Sequence, residues 1–216
     1  LGLVAAHILA LHEVGSNNPD GVEIKKRKDV HGHPLDGIPF HPYYTVKDIV
    51  GVVVFLMVFS IIVFFAPEGG GYFLEYNNFL PADPLKTPLH IAPVWYFTPY
   101  YSLLRAMVWP LFGIDAKFWG VVAMGAGVVI LAFLPWLDRS PVKSIRYRGP
   151  IFKTLLTIFV ISFVILGFLG TQPPSYAFFG VIPSAPVAQV LSAYYFLYFL
   201  TMPWWSKIDK YKPEPD

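Results

Sequence analysis

The sequence predicts an all-α fold. It is a multi-span transmembrane helical bundle with four full spans, the end of a fifth helix, and a long outward loop carrying a short interfacial helix. Three observations carry that expectation. Hydrophobic residues make up 55% of the chain and charged residues only 14%, whereas a soluble domain has about 25% charged. Residues 49–66, 118–137, 154–170 and 187–204 carry no charge, and each approaches the roughly 20 residues that a helix needs to cross a bilayer. The lysines and arginines between these stretches are one-sided. Eleven fall in residues 20–44, 138–149 and 205–216, against two, Lys86 and Arg105, in residues 67–116. The excess marks the cytoplasmic side, so loop 67–116 faces outward.

Residues 1–11, LGLVAAHILAL, are apolar and suit a helix. At about 1.5 Å per residue they cover only about half of a 30 Å hydrocarbon core. The stretch reads as the end of a longer helix, and the chain as a piece of a larger protein. His7 sits within it. An ionisable residue at membrane depth is costly and marks function by default. An imidazole there serves either as a ligand to haem iron or as a hydrogen-bonding group against a neighbouring helix. The small Ala5 and Ala6 would let a flat macrocycle approach. The run LHEVGSNNP (11–19) follows, in which Ser16, Asn17 and Asn18 are residue types that form turns.

The basic loop comes next. His31, His33 and His41 read as loop residues, because no clustered carboxylate or cysteine completes a metal site around them. HPYYTVKDI (41–49) leads into the next span, with Asp48 near its start, where a helix dipole favours an acid. The chain divides into residues 1–44, the helix end and cytoplasmic loop, and residues 45–216, the membrane domain.

Loop 67–116 is long for a bundle connection, and such loops are often functional. It is rich in proline and aromatic residues. Its run YFTPYYSLLRAM (96–107) suits a short amphipathic helix at the interface, where Trp and Tyr are favoured. Gly120, Gly125 and Gly127 predict close helix packing. Trp119, Trp136, Trp204 and Trp205 read as interfacial anchors, and residues 144–149 and 207–216 as solvated charge. Cysteine is absent, which removes disulfides, thiolate ligation and haem attachment through Cys-x-x-Cys-His. A net charge of +2, with no basic tract interleaved with aromatics, gives no sign of nucleic acid.

Three constellations coincide: His7 with LHEVGSNNP, HPYYTVKDI, and TPLHIAPVWYFTPYYSLLRA (87–106). Together they resemble the carboxyl-terminal half of cytochrome b, the quinone-reactive core of ubiquinol–cytochrome c reductase. AKFWG (116–120) and PWLDRSPV (135–142) have a proteobacterial character. The chloroplast-type split subunit shares the third run but has three spans and no haem-ligand helix.

The resemblance implies heme b, with ubiquinol and ubiquinone as substrates, in the bacterial inner membrane. It implies quinol oxidation outside and quinone reduction at the cytoplasmic side, coupled to proton translocation. His7 matches an axial ligand of the haem nearer the cytoplasm. His12, Ser16 and Asp48 match quinone-binding residues of the reduction site. Pro93, Trp95, Tyr96, Phe97 and Tyr101 match the wall of the quinol-oxidation pocket. Implied partners are the amino-terminal half of cytochrome b, a Rieske iron–sulfur protein, a c-type cytochrome subunit and membrane lipid, in a homodimeric complex. A haem held by two histidines needs an imidazole facing His7. His12 lies on the same helix, and His31, His33, His41 and His90 lie in loops, so that imidazole is expected from outside this chain.

One departure matters. The family's third run usually reads Pro-Glu-Trp-Tyr, and the Glu is commonly assigned as a proton acceptor. Here Val94 stands in its place, and Leu89 stands where a second proline is usual. Among the outward acids, Glu68 and Asp115 lie near span ends and Asp83 lies in a Pro-Ala-Asp-Pro turn. Glu75 is flanked by Tyr72, Phe73, Leu74 and Tyr76. An acid in such company holds its proton to higher pH, which suits exchange near neutrality. Glu75 is therefore expected to take the lost acid's role, with Tyr101 holding the quinol. The alternative is a solvent-facing loop glutamate.

Two other classes differ from this one in what the sequence should show. A transporter half using His7 and His12 as a proton relay should show inverted repeats, and none is visible. A haem-bearing anchor subunit of a dehydrogenase would not need the aromatic loop.

Overall fold

The computed structural model describes residues 1–15, 18–22, 26–35, 37–71, 74, 76–88, 91–173 and 175–215. It is mostly helical, with one two-stranded hairpin, Ala177–Phe178 against Ile182–Pro183. By contacts it forms two units, residues 23–89 on one hand and residues 1–22 with 90–216 on the other.

The smaller unit carries α2, Tyr43–Phe65, an unbroken apolar helix with no buried residue. A helix that is apolar all round and uncovered is suited to lipid or to partner helices. Before it, the Asp29 carboxylate accepts from the backbone N–H groups of His31 and His33 at 2.9 and 2.8 Å. These histidines are turn residues, as expected.

The larger unit begins with α1, Gly2–Val14, and continues with α3, Thr98–Ala106. A long helical span, Ala116–Leu137, follows. It consists of α4, Ala116–Val129, a short tight turn, and α5, Leu134–Leu137. Then come α6, Pro150–Thr171, α7, Ser184–Leu200, and α8, Met202–Ile208. Among the described residues, three helices are long and apolar enough to cross a membrane, or four if α7 and α8 make one span. The expected 187–204 span is therefore not straight: α7 and α8 meet at 62°. Pro203, just inside α8, cannot continue the hydrogen-bond ladder of the preceding turn.

α3 departs further from expectation. It packs against α4, α6 and α7 and buries Thr98, Pro99, Ser102, Leu103 and Ala106. Small residues let the backbones close in. A Cβ on Gly127 would lie 2.7 Å from Leu103 Cδ1, and one on Gly120 would lie 2.5 Å from the Leu104 carbonyl oxygen. Gly125 meets nothing within 4 Å, so two of the three glycines serve packing as expected. Two polar side chains inside are paired with backbone carbonyls, while among the described residues the buried Ser192 Oγ has no hydrogen-bond partner. Ser102 Oγ donates to the Leu166 carbonyl at 2.6 Å, and the Tyr195 hydroxyl donates to the Gly127 carbonyl at 2.7 Å. Leu103, Leu166, Tyr195, Tyr198, Phe199, Met202 and Trp205 form the core.

The segments expected to be solvated charge are instead tied together. Buried Asp209 accepts from the N–H groups of Ile151 and Phe152 at 3.0 and 3.2 Å, which neutralises free donors at the start of α6. Glu214 accepts from the N–H groups of Lys143 and Ser144 at 2.6 and 2.8 Å. Asp20 pairs with Arg146 at 2.9 Å and accepts from the Tyr147 hydroxyl at 3.1 Å. Desolvation and that bond push the Tyr147 phenol above its usual value of 10.0. Trp205 is likewise no surface anchor. It is buried, and its indole N–H donates to the Tyr198 carbonyl at 3.1 Å.

Candidate functional site

The outward motif is one continuous piece of structure. Residues 94–97 turn into α3: Phe97 N–H donates to the Val94 carbonyl at 2.8 Å, and the Thr98 hydroxyl to the Trp95 carbonyl at 2.7 Å. Pro99, in the first turn, presets the helical backbone. The helix is locked from beneath. A Cβ on Gly170 would overlap the Thr98 carbonyl oxygen, so only glycine permits this approach of α6 to α3.

Above that anchor the aromatic rings stand in sequence. Trp95 and Tyr96 meet edge to face at 5.6 Å, Tyr96 and Phe97 lie 5.5 Å apart, and Phe97 and Tyr100 lie 6.3 Å apart. Tyr100 continues the contact into the core through Phe163 and Tyr195. Pro93 is half-buried, while Trp95 is 81% exposed and Val94, Tyr96 and Phe97 are also exposed. The chain thus presents one aromatic wall, open on its far side.

Tyr101 is half-buried, one turn on from Phe97. The Arg105 guanidinium sits 5.6 Å from its ring centre and donates to the Gln172 carbonyl at 2.8 Å. Arg105 was counted from sequence only as a charge, although the i, i+4 spacing from Tyr101 was the signal for this contact. Glu75 and Leu89 lie outside the described residues. Asp83 accepts from Leu85 N–H at 2.9 Å, and Asp115 caps α4 by accepting from Lys117 N–H at 2.7 Å. Asp83 is a turn residue, in keeping with the sequence reading, whereas Asp115, expected as an interfacial charge at a span end, is a helix cap.

On the other group of residues, α1 carries His7 and His12. His7 is exposed, with Ala6 and Ile8 beside it and Leu3, Val4, Ala10 and Leu11 one turn away. That face suits an apolar macrocycle approaching the imidazole. His12 Nδ1 lies 2.7 Å from the Ile8 carbonyl oxygen. The carbonyl can only accept, so Nδ1 carries a proton and Nε2 is left to face another partner. Asp48 is exposed on α2, beyond the first turn of that helix, in the other unit. Ser16 lies outside the described residues.

Residues 81–196 match the family described as Cytochrome b(C-terminal)/b6/petD. The chain belongs to the cytochrome b family. Along its whole length it is 57% identical to the cytochrome b of Allochromatium vinosum, covering 51% of that protein. It is 43% identical to the cytochrome b of Rhodospirillum rubrum, over 99% of this chain and 47% of that one. It is also 40% identical to the cytochrome b/c1 of Bradyrhizobium diazoefficiens, over 28% of that protein. The chain spans about half the length of most cytochrome b relatives it matches. The matched region contains the whole aromatic wall, α3 and the helices that lock it, so this multi-pass membrane scaffold is the family's own.

Proposed function

We propose that this chain is the carboxyl-terminal half of a respiratory electron-transfer cytochrome b. It oxidises ubiquinol at the outward face and returns electrons to quinone at the cytoplasmic face, with proton translocation between them. The observation that carries the reading is the wall of exposed Trp95, Tyr96 and Phe97 rings with half-buried Tyr101 beside them, seated on a helix packed into the core. An exposed aromatic surface on a fixed scaffold suits a flat ring.

Each quinol oxidised gives up two electrons and two protons. Pro93, Trp95, Tyr96 and Phe97 orient the ring, and the Tyr101 hydroxyl holds a quinol oxygen. Arg105 fixes the Tyr101 ring by its charge over the aromatic face. Glu75 takes a proton in place of the acid absent at Val94. On the cytoplasmic side His12 exchanges a proton at Nε2, Asp48 serves the opposite quinone oxygen, and Ser16 contributes a hydroxyl. His7 supplies one imidazole to heme b, which provides one-electron transfer when bound. His12 shares a helix with His7 and cannot face it across the ring, so the opposing ligand is assigned to the other half of cytochrome b. A Rieske iron–sulfur protein, a c-type cytochrome and a second copy of the assembly complete the complex in the bacterial inner membrane.

The test is steady-state reduction of cytochrome c by ubiquinol in the intact complex, with Tyr96→Ala and Trp95→Ala. Losing one aromatic contact of about 1–1.5 kcal/mol lowers kcat/KM for quinol about tenfold. The haem content should stay unchanged. Normal kcat/KM in both variants refutes the outward assignment.

A further inference from the structure

α1 carries His7 and His12, yet it buries none of its residues within this chain. Helices are usually located by the side chains they bury. Here the chain just beyond the helix is tied down instead. Gly15 ends α1 at a positive φ of 84°, its N–H donating to the Leu11 carbonyl at 2.7 Å. Residues 18–22 then form a corner closed on itself. Asn18 Oδ1 accepts from the N–H groups of Asp20 and Val22 at 3.1 and 3.0 Å, and Asn18 Nδ2 donates to the Val22 carbonyl at 2.8 Å. One side chain closes the turn from both ends, so the corner shifts as a body.

Two distant segments hold that body. From the connection between α5 and α6, Ser144 Oγ donates to the Pro19 carbonyl at 2.5 Å. Arg146 pairs with Asp20 at 2.9 Å, and the Tyr147 hydroxyl donates to the same carboxylate at 3.1 Å. From the segment after α8 comes Glu214. Its Oε1 accepts from the N–H groups of Lys143 and Ser144 at 2.6 and 2.8 Å, which fixes the residue that holds Pro19. Its carboxylate also lies against Gly21, where an added Cβ would come within 2.6 Å of Oε1. Gly21 has a φ of +77°, so glycine serves both the turn and the close approach. Lys212 N–H donates to the Tyr147 carbonyl at 2.8 Å and keeps this segment on the loop.

We propose that Asp20 and Glu214 are positioning residues for quinone reduction at the cytoplasmic face. Asp20 attaches the corner to the loop, Glu214 shapes the loop that receives it, and the seated corner sets where His12 presents Nε2. The inference rests on the reading of His12 given above. A quinone that binds only the seated arrangement meets an affinity reduced by the seated fraction. Loosening the corner therefore raises the half-saturating concentration and spares the saturated rate. Loss of assembled complex does the reverse.

The experiment uses the intact complex with the outward site blocked by an inhibitor, so that decylubiquinol reduces the haem through the cytoplasmic site alone. The rate is followed against decylubiquinol concentration. A hydrogen bond to a charged acceptor is worth about tenfold or more in an equilibrium constant. Asp20→Ala and Glu214→Ala should each raise the half-saturating concentration about tenfold and keep the saturated rate. Glu214→Gln retains an oxygen that accepts from both N–H groups and should recover most of the loss. Gly21→Ala displaces the carboxylate and should act like Glu214→Ala. Hydrogen–deuterium exchange at residues 18–22 should quicken in the same alanine variants, which needs no turnover.

Unchanged exchange overturns the proposal, because the corner is then held by something else. Faster exchange with an unchanged half-saturating concentration also overturns it, because the corner then does not place the site. So does a lowered saturated rate alone, the mark of lost assembly. His12→Ala separates this inference from the reading beneath it. If that variant leaves cytoplasmic reduction untouched, both fall. If it impairs reduction while Asp20→Ala and Glu214→Ala do not, only the positioning role falls. Should Asp20→Ala not assemble, the comparison of Glu214→Ala with Glu214→Gln decides the matter.

Discussion

Gly170→Ala and Gly167→Ala differ by one turn of α6, and the structure separates their outcomes. At Gly170 an added Cβ would overlap the Thr98 carbonyl oxygen and lie 2.7 and 2.9 Å from Thr98 C and Cα. Those are backbone atoms and cannot turn aside. At Gly167 the nearest atoms are Pro99 Cγ at 3.5 Å and Thr98 Oγ1 at 3.6 Å, ordinary contacts. Alanine in a helix gains up to about 1 kcal/mol over glycine, while overpacking costs about 1–3 kcal/mol. Gly167→Ala should therefore be neutral or stabilising. Gly170→Ala should lose about 1–2 kcal/mol net. It also displaces the first turn of α3, which carries the aromatic wall. A misplacement on the order of 1 Å at such a site costs about 10²-fold in rate. The assay is thermal inactivation of the purified complex together with quinol-dependent cytochrome c reduction. Equal behaviour of the two variants, or normal quinol turnover in Gly170→Ala, refutes the claim that this glycine sets the position of the wall.

Further outcomes follow from other contacts. Asp209→Ala leaves the N–H groups of Ile151 and Phe152 unpaired at the start of α6. It should cost about 1–2 kcal/mol, read as lowered thermal stability, and Asp209→Asn should recover part of it. Glu75→Gln should slow quinol oxidation and shift its pH profile, and adding Val94→Glu should restore both; an untouched profile in Glu75→Gln ends the relocated-acid reading. Asp48→Ala should slow quinone reduction at the cytoplasmic side while leaving outward oxidation intact. Unchanged turnover and inhibitor sensitivity there would count against Asp48.

The spans were readable because an uncharged run of helical length has few other uses, and α2, α6 and the 116–137 helix lie where the hydropathy pattern puts them. The glycine packing was readable for the same reason at Gly120 and Gly127. What escaped were contacts between residues far apart in sequence. Nothing local marks Asp209 as a cap for a helix that begins 59 residues earlier, or Glu214 as an acceptor for Ser144. Trp205 has an anchor's residue type and position, and only the 62° bend turns it inward. α3 reads as a surface helix because its buried face is built from Thr98, Ser102 and Ala106, whose burial depends on glycines in two other helices. For the site, His7 and the aromatic motif were legible as residue types in an unusual place. Arg105 needed the structure to join it to Tyr101.

The central claim is that this chain carries a haem ligand into a quinol-driven electron path. A reduced-minus-oxidised optical spectrum of the intact complex tests it most directly. The account predicts low-spin b-type bands that ubiquinol can reduce, and loss of the component nearer the cytoplasm in His7→Leu while the assembled complex is retained. Absent b-type bands, or bands unchanged by His7→Leu, would contradict it.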